Sequence, residues 1–337
     1  MAIEPRVPTC RGVVTTSPDV AVPEVKWIAP AAPHDRRAHA EWCGTVGPVV
    51  VTPQPAAVSP LTAGDVLAVL SWNTHVGGGD VATFVRRLRA GDWSDGRRVS
   101  HFVLLLQETF RQGRHVPMPV GASPPVPTAI MPSPISGQRL DVVALAAGLG
   151  LSLFYAPSMR NGLVTGPGSA EDRGNAILAT LPLRDFRVVE LPFERQRRVA
   201  VAATLTWPAA SDTSLHVSSV HLDPRASSRR LFLFAPPART RQAKGLVEAL
   251  PRGEPALVGG DFNTWLSGSE GALSELRRAF PDTPRGKGAT LGAMRVDYLF
   301  FRLPKGWRGD SQVIHESFGS DHRAVLGWLY AAPERSR

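Results

Sequence analysis

The stretch Pro255-Ala-Leu-Val-Gly-Gly-Asp-Phe-Asn263 indicates the architecture of the chain more clearly than any other. Its apolar part, Pro255 to Val258, is typical of a buried strand. The strand closes on a carboxylate, Asp261, and a carboxamide, Asn263. Because side chains alternate along a strand, these two residues are expected to point the same way. Taken alone, such a pair would more often be a turn than a functional site.

Polar clusters of the same kind recur at or beside the ends of other predicted strands. They are Ser71-Trp72-Asn73, Gln107-Glu108-Thr109, Arg173-Gly174-Asn175, His221-Leu222-Asp223 and Gly319-Ser320-Asp321-His322, and Asp297 adds a carboxylate inside a further strand. Most of them follow apolar runs, so their side chains would stand on rigid supports, as precise chemistry requires. Their joint occurrence in one chain predicts a single site.

Apolar runs alternate with stretches of helical periodicity from Val66 onward. Several neighbouring strands are joined too tightly for helical crossovers, which favours two sheets over one parallel sheet. We predict an α/β fold, a four-layered α/β sandwich of two mixed β-sheets packed face to face with helices on the outside. The predicted strands cover residues 66–70, 102–106, 151–155, 176–179, 199–205, 215–220, 256–258, 296–301 and 324–328, and the predicted helices cover residues 81–89, 141–149, 237–250 and 271–280.

The composition changes along the chain. Residues 1–62 are rich in proline and have little periodicity, so we interpret them as an N-terminal extension that is partly ordered around Trp27 and Trp42. Residues 63–333 are then expected to form one folded domain. Within that domain, residues 117–134 are expected to be a long proline-rich loop bordering the site, and Leu231–Phe234 is expected to pack in the core.

The chain of 337 residues has a net charge of +9, and only four of its positive side chains are lysines. Arginine suits bidentate recognition of phosphate. Codon bias in an Ala/Arg/Gly/Pro-rich sequence explains the arginines equally well, so the charge favours a polyanionic partner without establishing one. No apolar stretch is long enough to span a bilayer, and we expect no stable membrane insertion. A monomer is favoured, with the oligomeric state left open.

Two cysteines, Cys10 and Cys43, are too few for a zinc cluster or a disulfide framework, although they could pair outside the cell. The N-terminus lacks the basic start and apolar core of a signal peptide, which predicts a cytoplasmic protein. Secretion stays open, because a different start codon could add a leader.

The polar clusters also narrow the chemistry. Carboxylates and carboxamides without cysteine suit a hard cation such as Mg²⁺ or Mn²⁺. The sequence has neither a Gly-x-Ser-x-Gly nucleophile motif nor a Gly-x-x-x-x-Gly-Lys phosphate loop. A bound metal ion, a positioned water and an imidazolium are sufficient machinery for phosphoester hydrolysis.

These clusters resemble, in order from Val66 to about Leu329, the endonuclease/exonuclease/phosphatase superfamily with its deoxyribonuclease I-like fold. Gly-Asp-Phe-Asn and Ser-Asp-His are the most specific parts of the resemblance. His-Leu-Asp at residues 221–223 points to the deoxyribonuclease and sphingomyelinase side of the superfamily. His75 stands where abasic-site endonucleases carry an aspartate, which leaves open whether one or two metal ions bind.

The resemblance implies a role for each matching residue. Metal binding is implied for Asn73, Glu108 and Asp321, and catalysis for His221, Asp261, Asn263, Asp297 and His322. Among the latter, Asp261 would orient or deprotonate the attacking water, and Asp297 would orient the catalytic imidazole of His322. Arg173 and Asn175 match a strand segment that borders the phosphate in several branches, and are expected to bind substrate.

The sequence therefore predicts a Mg²⁺- or Mn²⁺-dependent enzyme that hydrolyses phosphodiester bonds by in-line attack of water, with nucleic acid as the expected substrate. Five arginines in segments near the site motifs are expected to line a phosphate track: Arg160, Arg173, Arg195, Arg197 and Arg198. The alternative substrate is a phospholipid or inositol phosphate, as in sphingomyelinases. A binding module that has kept the fold without turnover is a third possibility, since fold alone does not determine function.

Overall fold

Two β-sheets packed face to face form the centre of the molecule. The structure is a computed structural model that describes residues 9–16, 21–52, 65–117, 138–161, 171–207, 213–224, 235–265, 269–284 and 286–331. The predicted loop beyond residue 117 and the run Leu231–Phe234 lie outside these ranges.

The described residues contain fourteen strands and five α-helices. The strands are β1 (Val13–Thr15), β2 (Lys26–Ile28), β3 (Val49–Thr52), β4 (Val66–Asn73), β5 (Phe102–Gln112), β6 (Ser152–Arg160), β7 (Glu171–Ala179), β8 (Leu183–Glu190), β9 (Val199–Trp207), β10 (Thr213–His221), β11 (Ala256–Asp261), β12 (Asp297–Arg302), β13 (Arg308–Val313) and β14 (Val325–Tyr330). The helices are α1 (Pro33–Cys43), α2 (Val81–Ala90), α3 (Val142–Leu149), α4 (Ala235–Ala249) and α5 (Gly271–Ala279).

Both sheets are mixed. The eight-stranded sheet has the order β1-β3-β6-β7-β5-β4-β14-β13, and the six-stranded sheet has the order β12-β11-β10-β9-β8-β2. β4 and β5 are parallel at the centre of the first sheet, and β10 and β11 are parallel in the second. Parallel neighbours bring their carboxyl ends to one edge of a sheet, which is where the predicted site residues stand.

Three layers of apolar side chains hold the sandwich together. One lies between the sheets and includes Val69, Leu105 and Leu257. A second packs α2 and α3 against the outer face of the eight-stranded sheet, and a third packs α4 and α5 against the six-stranded sheet. This arrangement confirms the predicted four-layered α/β sandwich. None of the described helices has the length and apolar character needed to cross a membrane.

The ends of α3 show how local sequence sets a helix boundary. The Asp141 carboxylate accepts hydrogen bonds from the backbone N–H groups of Val143 and Ala144 at 2.8 and 3.2 Å, so it caps the start of the helix. Gly150 follows the last turn with φ of +67°, a conformation that glycine adopts without steric cost.

The described part of the N-terminal segment adds strands to both sheets. β1 and β3 extend one edge of the eight-stranded sheet, and β2 pairs with β8 at the edge of the other. Cys10 and Cys43 form a buried disulfide that joins α1 to the turn before β1. The described part of the extension therefore packs on the domain, and the proposed division at residue 62 stays a prediction.

Candidate active site

Strand ends from both sheets meet at one edge of the sandwich. In the eight-stranded sheet, Asn73 at the end of β4 pairs with Gln107 of β5. In the six-stranded sheet, His221 and Asp261 pair at the ends of β10 and β11, and Asp297 at the start of β12 lies opposite Asp261. The two edges touch, because Asn73 Nδ2 donates a hydrogen bond to Asp261 Oδ2 at 3.0 Å.

A buried aspartate orients the imidazole of His322. His322 Nδ1 lies 2.8 Å from Asp297 Oδ2, and Asp297 is fully buried. Thr290 Oγ1 accepts a hydrogen bond from the backbone N–H of Asp297, and Ser320 Oγ accepts one from the backbone N–H of His322. Both partners of the pair are therefore fixed by their backbones, and His322 Nε2 is directed towards Asp261, 3.8 Å from its Oδ2.

The surrounding carboxylates hold His322 in its charged form. Burial by itself lowers the pKa of His322, but the charges of Asp297 and Asp261 outweigh burial and raise the pKa from the ordinary 6.5 to about 10. With Nδ1–H donated to Asp297, the second proton resides on Nε2. His322 is thus a proton donor aimed at the space beside Asp261.

Asp261 is the best-placed base of the cluster. Its Oδ1 accepts a hydrogen bond from the Asn263 backbone N–H at 2.9 Å, and its Oδ2 accepts the one from Asn73. Burial, followed by the nearby charge of Asp297, raises the pKa of Asp261 to about 7. A carboxylate whose pKa lies near neutrality combines proton affinity with a substantial ionised fraction, as a general base requires.

His221 differs from His322 in charge. Asn263 Nδ2 lies 3.0 Å from His221 Nε2 and donates a second hydrogen bond to Leu222 O at 2.9 Å, which fixes the orientation of the amide. Burial lowers the pKa of His221 well below 6.5, and the cations Arg198 and Arg173 lower it further. His221 is therefore neutral, and the two arginines carry the positive charge on this side of the site.

Glu108 projects from an irregularity in β5. The register of β5 with β7 shifts between Leu106 and Thr109, and Glu108 has φ of +50°. A bulge of this kind re-aims a side chain at the edge of a sheet. The Glu108 carboxylate lies 3.6 Å from Arg173 Nη1 and 3.8 Å from His221 Nδ1.

Asp321 is the most open carboxylate of the site, with 48% of its side chain exposed. Its Oδ1 lies 3.7 Å from His75 Nδ1 and 4.0 Å from His322 Nε2. His75 occupies the loop after β4, where its backbone N–H donates to Asn73 Oδ1. The loop thus brings the imidazole of His75 to the rim of the site. His75 was not part of the polar clusters recognised in the sequence.

Backbone contacts bring the three predicted metal ligands, Asn73, Glu108 and Asp321, close together. Asn73 pairs with Gln107, which precedes Glu108, and the Asn73 carbonyl accepts a hydrogen bond from Ser320 Oγ, next to Asp321, at 2.7 Å. The three side chains offer two carboxylates and one amide oxygen. This donor set fits a hard, oxygen-preferring cation such as Mg²⁺ or Mn²⁺.

A second group of potential ligand atoms lies deeper. Single atoms of Asp261, Asp297 and His322 all fall within 4.8 Å of one another. However, His322 uses Nδ1 to bind Asp297, and its raised pKa keeps a proton on Nε2. An imidazolium between two carboxylates already offsets part of their charge, so this group fits proton transfer better than metal binding.

Arg173 and Asn175 lie close together on β7 but differ in their partners. Arg173 is buried beside Glu108. Asn175 Nδ2 donates a hydrogen bond to Val199 O of the other sheet at 2.6 Å. Asn175 therefore ties the two sheets together beneath the site, and its amide nitrogen is engaged in that contact.

The arginines expected to line a phosphate track are mostly buried. Arg197 is fully buried against Glu190, Arg198 pairs with Asp223 at 3.2 Å, and Arg160 and Arg173 are also buried. Arg195 alone of the five is exposed. The phosphate track stays a prediction, and on an exposed surface only Arg195 could contribute to it.

Some residues position the site although no role in it was assigned to them from the sequence. Gln242 Oε1 accepts a hydrogen bond from the backbone N–H of Asp223 at 2.9 Å, and Asp223 in turn holds Arg198 beside His221. Asp223 belongs to the quoted His-Leu-Asp cluster, so its polarity at a strand end was a usable signal. Thr290 lies in a loop and has no such signal.

The four-layered sandwich, with this polar cluster at one edge of its sheets, places the chain among proteins with a deoxyribonuclease I-like architecture. A model described as the Endonuclease/Exonuclease/phosphatase family matches residues 70–322. The chain belongs to this family, which confirms the resemblance drawn from the sequence. Members of the family are in general hydrolases of phosphoester bonds.

Individual relatives are more distant. The uncharacterized protein YbhP of Escherichia coli is 30% identical over 92 residues, which are 27% of this chain and 34% of that protein. The chain thus spans about a third of the length of the curated relatives it matches.

Solved structures resemble the chain in fold. An endonuclease/exonuclease/phosphatase from Beutenbergia cavernae aligns with a TM-score of 0.51 and 19% identity, over 80% of this chain and 72% of that one. Sphingomyelinase C from Streptomyces griseocarneus aligns with a TM-score of 0.48 and 16% identity, over 79% of this chain and 99% of that one.

Proposed function

We propose that the protein is a divalent-metal-dependent hydrolase of phosphodiester bonds. The observation that carries this proposal is the buried pair of Asp297 and His322, whose free Nε2 is directed at a second buried carboxylate, Asp261. A structural ion pair would not need a second acid whose pKa is raised to about 7. Glu108, Asn73 and Asp321 complete the proposed site as the groups that hold a hard cation.

A bound Mg²⁺ or Mn²⁺ would neutralise charge on the phosphoryl oxygens. The protein side chains would supply the remaining chemistry. Asp261 accepts a proton from the attacking water as the new oxygen–phosphorus bond forms. His322 gives its Nε2 proton to the leaving oxygen as the opposite bond breaks, with Asp297 stabilising the imidazolium beforehand. After the products leave, Asp261 releases its proton to solvent and His322 takes one up from solvent, which restores the starting charges.

Charge recognition of the phosphate falls to arginine in this mechanism. Because His221 is neutral, it and Asn263 contribute polar contacts, whereas Arg173 and Arg198 contribute positive charge. Preorganised donors of this type stabilise charge that develops during the reaction.

For the substrate we propose nucleic acid. The support is the net charge of +9 and a sequence pI of about 10.4, which favour a polyanion. Four of the five arginines near the site are buried, so they do not support an exposed surface that binds nucleic acid. Binding would therefore rest on the cations at the site and on the general basicity of the chain.

A side-by-side turnover screen tests this proposal. DNA, RNA, sphingomyelin, inositol phosphates and a generic aryl phosphodiester are each incubated with the protein and Mg²⁺, with His322→Ala as the control for contaminating activity. We expect His322-dependent cleavage of DNA or RNA that weakens steeply with salt. Salt-insensitive hydrolysis of a lipid headgroup without cleavage of nucleic acid would refute the substrate, and binding of nucleic acid without turnover of any compound would refute the enzyme.

The buried disulfide bears on the compartment of the protein. A Cys10–Cys43 disulfide favours an oxidising compartment over the cytoplasm expected from the sequence. We propose the oxidising compartment, because both sulfurs are buried in one packed cluster with Val46. Recovery of both thiols in reduced form from the native source would refute this proposal.

A further inference from the structure

A cavity of about 410 Å³ lies beside β12, outside the candidate active site. Its lining includes Arg277, Phe280, Thr283, Gly286, Arg295 and Tyr298. We call it the Arg295 cavity. The side chains of Tyr298 and Phe280 belong to the apolar layer between the six-stranded sheet and its helices, so the cavity has an aromatic wall on that side.

The guanidinium of Arg295 packs between an aromatic ring and a glycine. Its Cζ lies 5.1 Å from the centroid of the Tyr298 ring, and the Tyr298 hydroxyl donates a hydrogen bond to the Arg295 carbonyl at 2.9 Å. Gly286 packs on the other side so closely that an added Cβ would come within 2.9 Å of Arg295 Cζ. Glycine is therefore needed at position 286 to leave room for the guanidinium.

Two donors of this guanidinium lack acceptors among the described residues. Nε and Nη1 of Arg295 are both buried, and neither has a hydrogen-bond partner in the described part of the chain. A buried donor without an acceptor costs about 1–3 kcal/mol, and more when the group is charged. Burial correspondingly lowers the pKa of Arg295. An anion that draws these donors out of their buried position and accepts both hydrogen bonds would remove this penalty.

The charges around the cavity favour the same ligand. Arg277, in the last turn of α5, contributes a second guanidinium, whose charge lowers the pKa of Arg295, whereas the charge of Asp297, which does not line the cavity, raises it. The described residues that line the cavity include no aspartate or glutamate. Two guanidinium groups on one cavity attract a multiply charged anion, and the planar fork of arginine matches phosphate oxygens in pairs.

The cavity is close to the catalytic cluster but separate from it. Arg295 precedes Asp297 by two residues, and Tyr298 follows Asp297 directly, so the same short segment serves both. Asp297 faces His322, whereas Tyr298 packs with Phe300 in the layer under α5. A ligand in the cavity would thus lie behind the catalytic pair.

We propose that the Arg295 cavity binds a phosphate group at a site distinct from the one that performs hydrolysis. Arg295 supplies Nε–H and Nη1–H, Arg277 supplies further positive charge, and the aromatic wall accommodates an apolar part of the molecule that carries the phosphate. The phosphate can belong to the nucleic acid that occupies the active site or to a separate phosphorylated molecule. Only the first of these sources rests on the proposed function.

Nitrogen-15 NMR of the arginine Nε–H groups tests binding directly. The full chain, with chelator present, is titrated with inorganic phosphate and with a short 5′-phosphorylated oligonucleotide, and the Arg295 signal is assigned with Arg295→Gln. We expect a saturable shift of the Arg295 signal, and a loss of affinity of roughly tenfold or more in Arg277→Gln, since a charge-assisted hydrogen bond is lost or weakened. An Arg295 signal that does not move with either compound overturns the proposal.

Two further variants guard against trivial explanations. Arg278→Gln removes the same charge from the same helix turn but outside the cavity lining, and should leave affinity unchanged within about twofold. Gly286→Ala keeps every charge and displaces the guanidinium, so it should weaken binding as Arg277→Gln does. Equal affinity of the wild type and Gly286→Ala, with folding verified by circular dichroism, would overturn the proposed geometry.

Steady-state kinetics then distinguish the two sources of phosphate. If the substrate strand reaches the cavity, Arg295→Gln raises KM for a long oligonucleotide and leaves KM for a generic aryl phosphodiester unchanged. If KM is unchanged for both while the NMR shift persists, the cavity takes a separate phosphorylated molecule. Because the NMR experiment needs no turnover, failure of the proposed hydrolase would not be mistaken for failure of this site.

Discussion

Replacing Asp297 by asparagine changes one buried contact and should expose the role of the Asp297–His322 pair. The substitution preserves the size of the side chain and removes its charge. The contact is short, at 2.8 Å, and joins a fully buried carboxylate to an imidazolium. Hydrogen bonds to charged groups contribute about 1.5–3 kcal/mol, which corresponds to roughly a tenfold to hundredfold loss of kcat.

The same substitution should change the titration of His322 in metal-free protein. Among the charged neighbours, Asp297 contributes most to raising the pKa of His322 to about 10 against the opposing effect of burial. When the charge of Asp297 is removed, the lowering effect of burial is opposed less strongly. The pKa of His322 should then fall towards or below its ordinary value of 6.5. Carbon-13 NMR of the imidazole in chelated protein measures this shift.

Both measurements are needed to separate an orienting role of Asp297 from general damage to the fold. Loss of kcat together with a lowered His322 pKa supports the orienting and charge-stabilising role. A loss of kcat with an unchanged His322 pKa would indicate that the substitution acts through the fold. Unchanged kcat in a folded Asp297→Asn protein would refute the proposed acid–base cluster.

Four further outcomes follow from the contacts described. Glu108→Gln should shift the Mg²⁺ dependence of turnover to higher concentration, whereas an unchanged Mg²⁺ titration would mean that Glu108 is not a ligand. Asp261→Asn should lower kcat at least ~10²-fold with the melting temperature little changed; near-normal turnover would break the proposed site. Burial lowers the pKa of His39, so the neutral imidazole stabilises the fold fully above pH 6.5, and this contribution is lost as the pH falls below that value. His39→Gln should therefore flatten the dependence of the unfolding free energy on pH below 6.5, as measured with denaturant. An unchanged pH dependence would contradict the lowered pKa of His39. Replacing both Cys10 and Cys43 by serine should lower the unfolding free energy by about 3–4 kcal/mol for a loop closed across 33 residues; an unchanged free energy would mean that the disulfide is absent in solution.

Most strands that form the site were predictable because an apolar run leads up to their polar residue. Asp297, at the start of β12, and Arg173 and Asn175, inside β7, are exceptions. Ala256 to Val258 and Leu215 to Val220 are completely or almost completely buried, so little beyond hydrophobicity was needed to recognise β11 and β10. The structure extends both strands to the polar residues themselves, Asp261 and His221.

Most strands that were not predicted lack this pattern, although β3, Val-Val-Val-Thr at residues 49–52, has it and was interpreted as part of the N-terminal extension. β13, Arg308–Val313, alternates exposed and half-buried residues and contains arginine, glycine and aspartate. β2 has only three residues, with an exposed lysine. Such segments become strands because a neighbouring strand supplies hydrogen bonds. Pairing of that kind depends on tertiary contacts and cannot be predicted from the local sequence pattern.

The directions of individual side chains in the site could not be predicted from the sequence either. Arg197 and Arg198 are adjacent and chemically identical, yet one packs inward against Glu190 and the other stands beside His221 through Asp223. Which arginine serves the site depends on where the acidic partners lie in space. The left-handed backbone conformation of Glu108 likewise results from a bulge in β5 that could not be predicted from the sequence.

Metal-dependent turnover of a generic phosphodiester tests the central claim most directly. Initial rates are measured for the wild type and for His322→Ala with excess chelator, and again after addition of Mg²⁺ or Mn²⁺. We predict that chelator abolishes the wild-type rate, that either cation restores it, and that with the cation present His322→Ala is at least ~10²-fold slower. Full wild-type activity in excess chelator, or equal rates for the two proteins with Mg²⁺, would contradict the proposed mechanism.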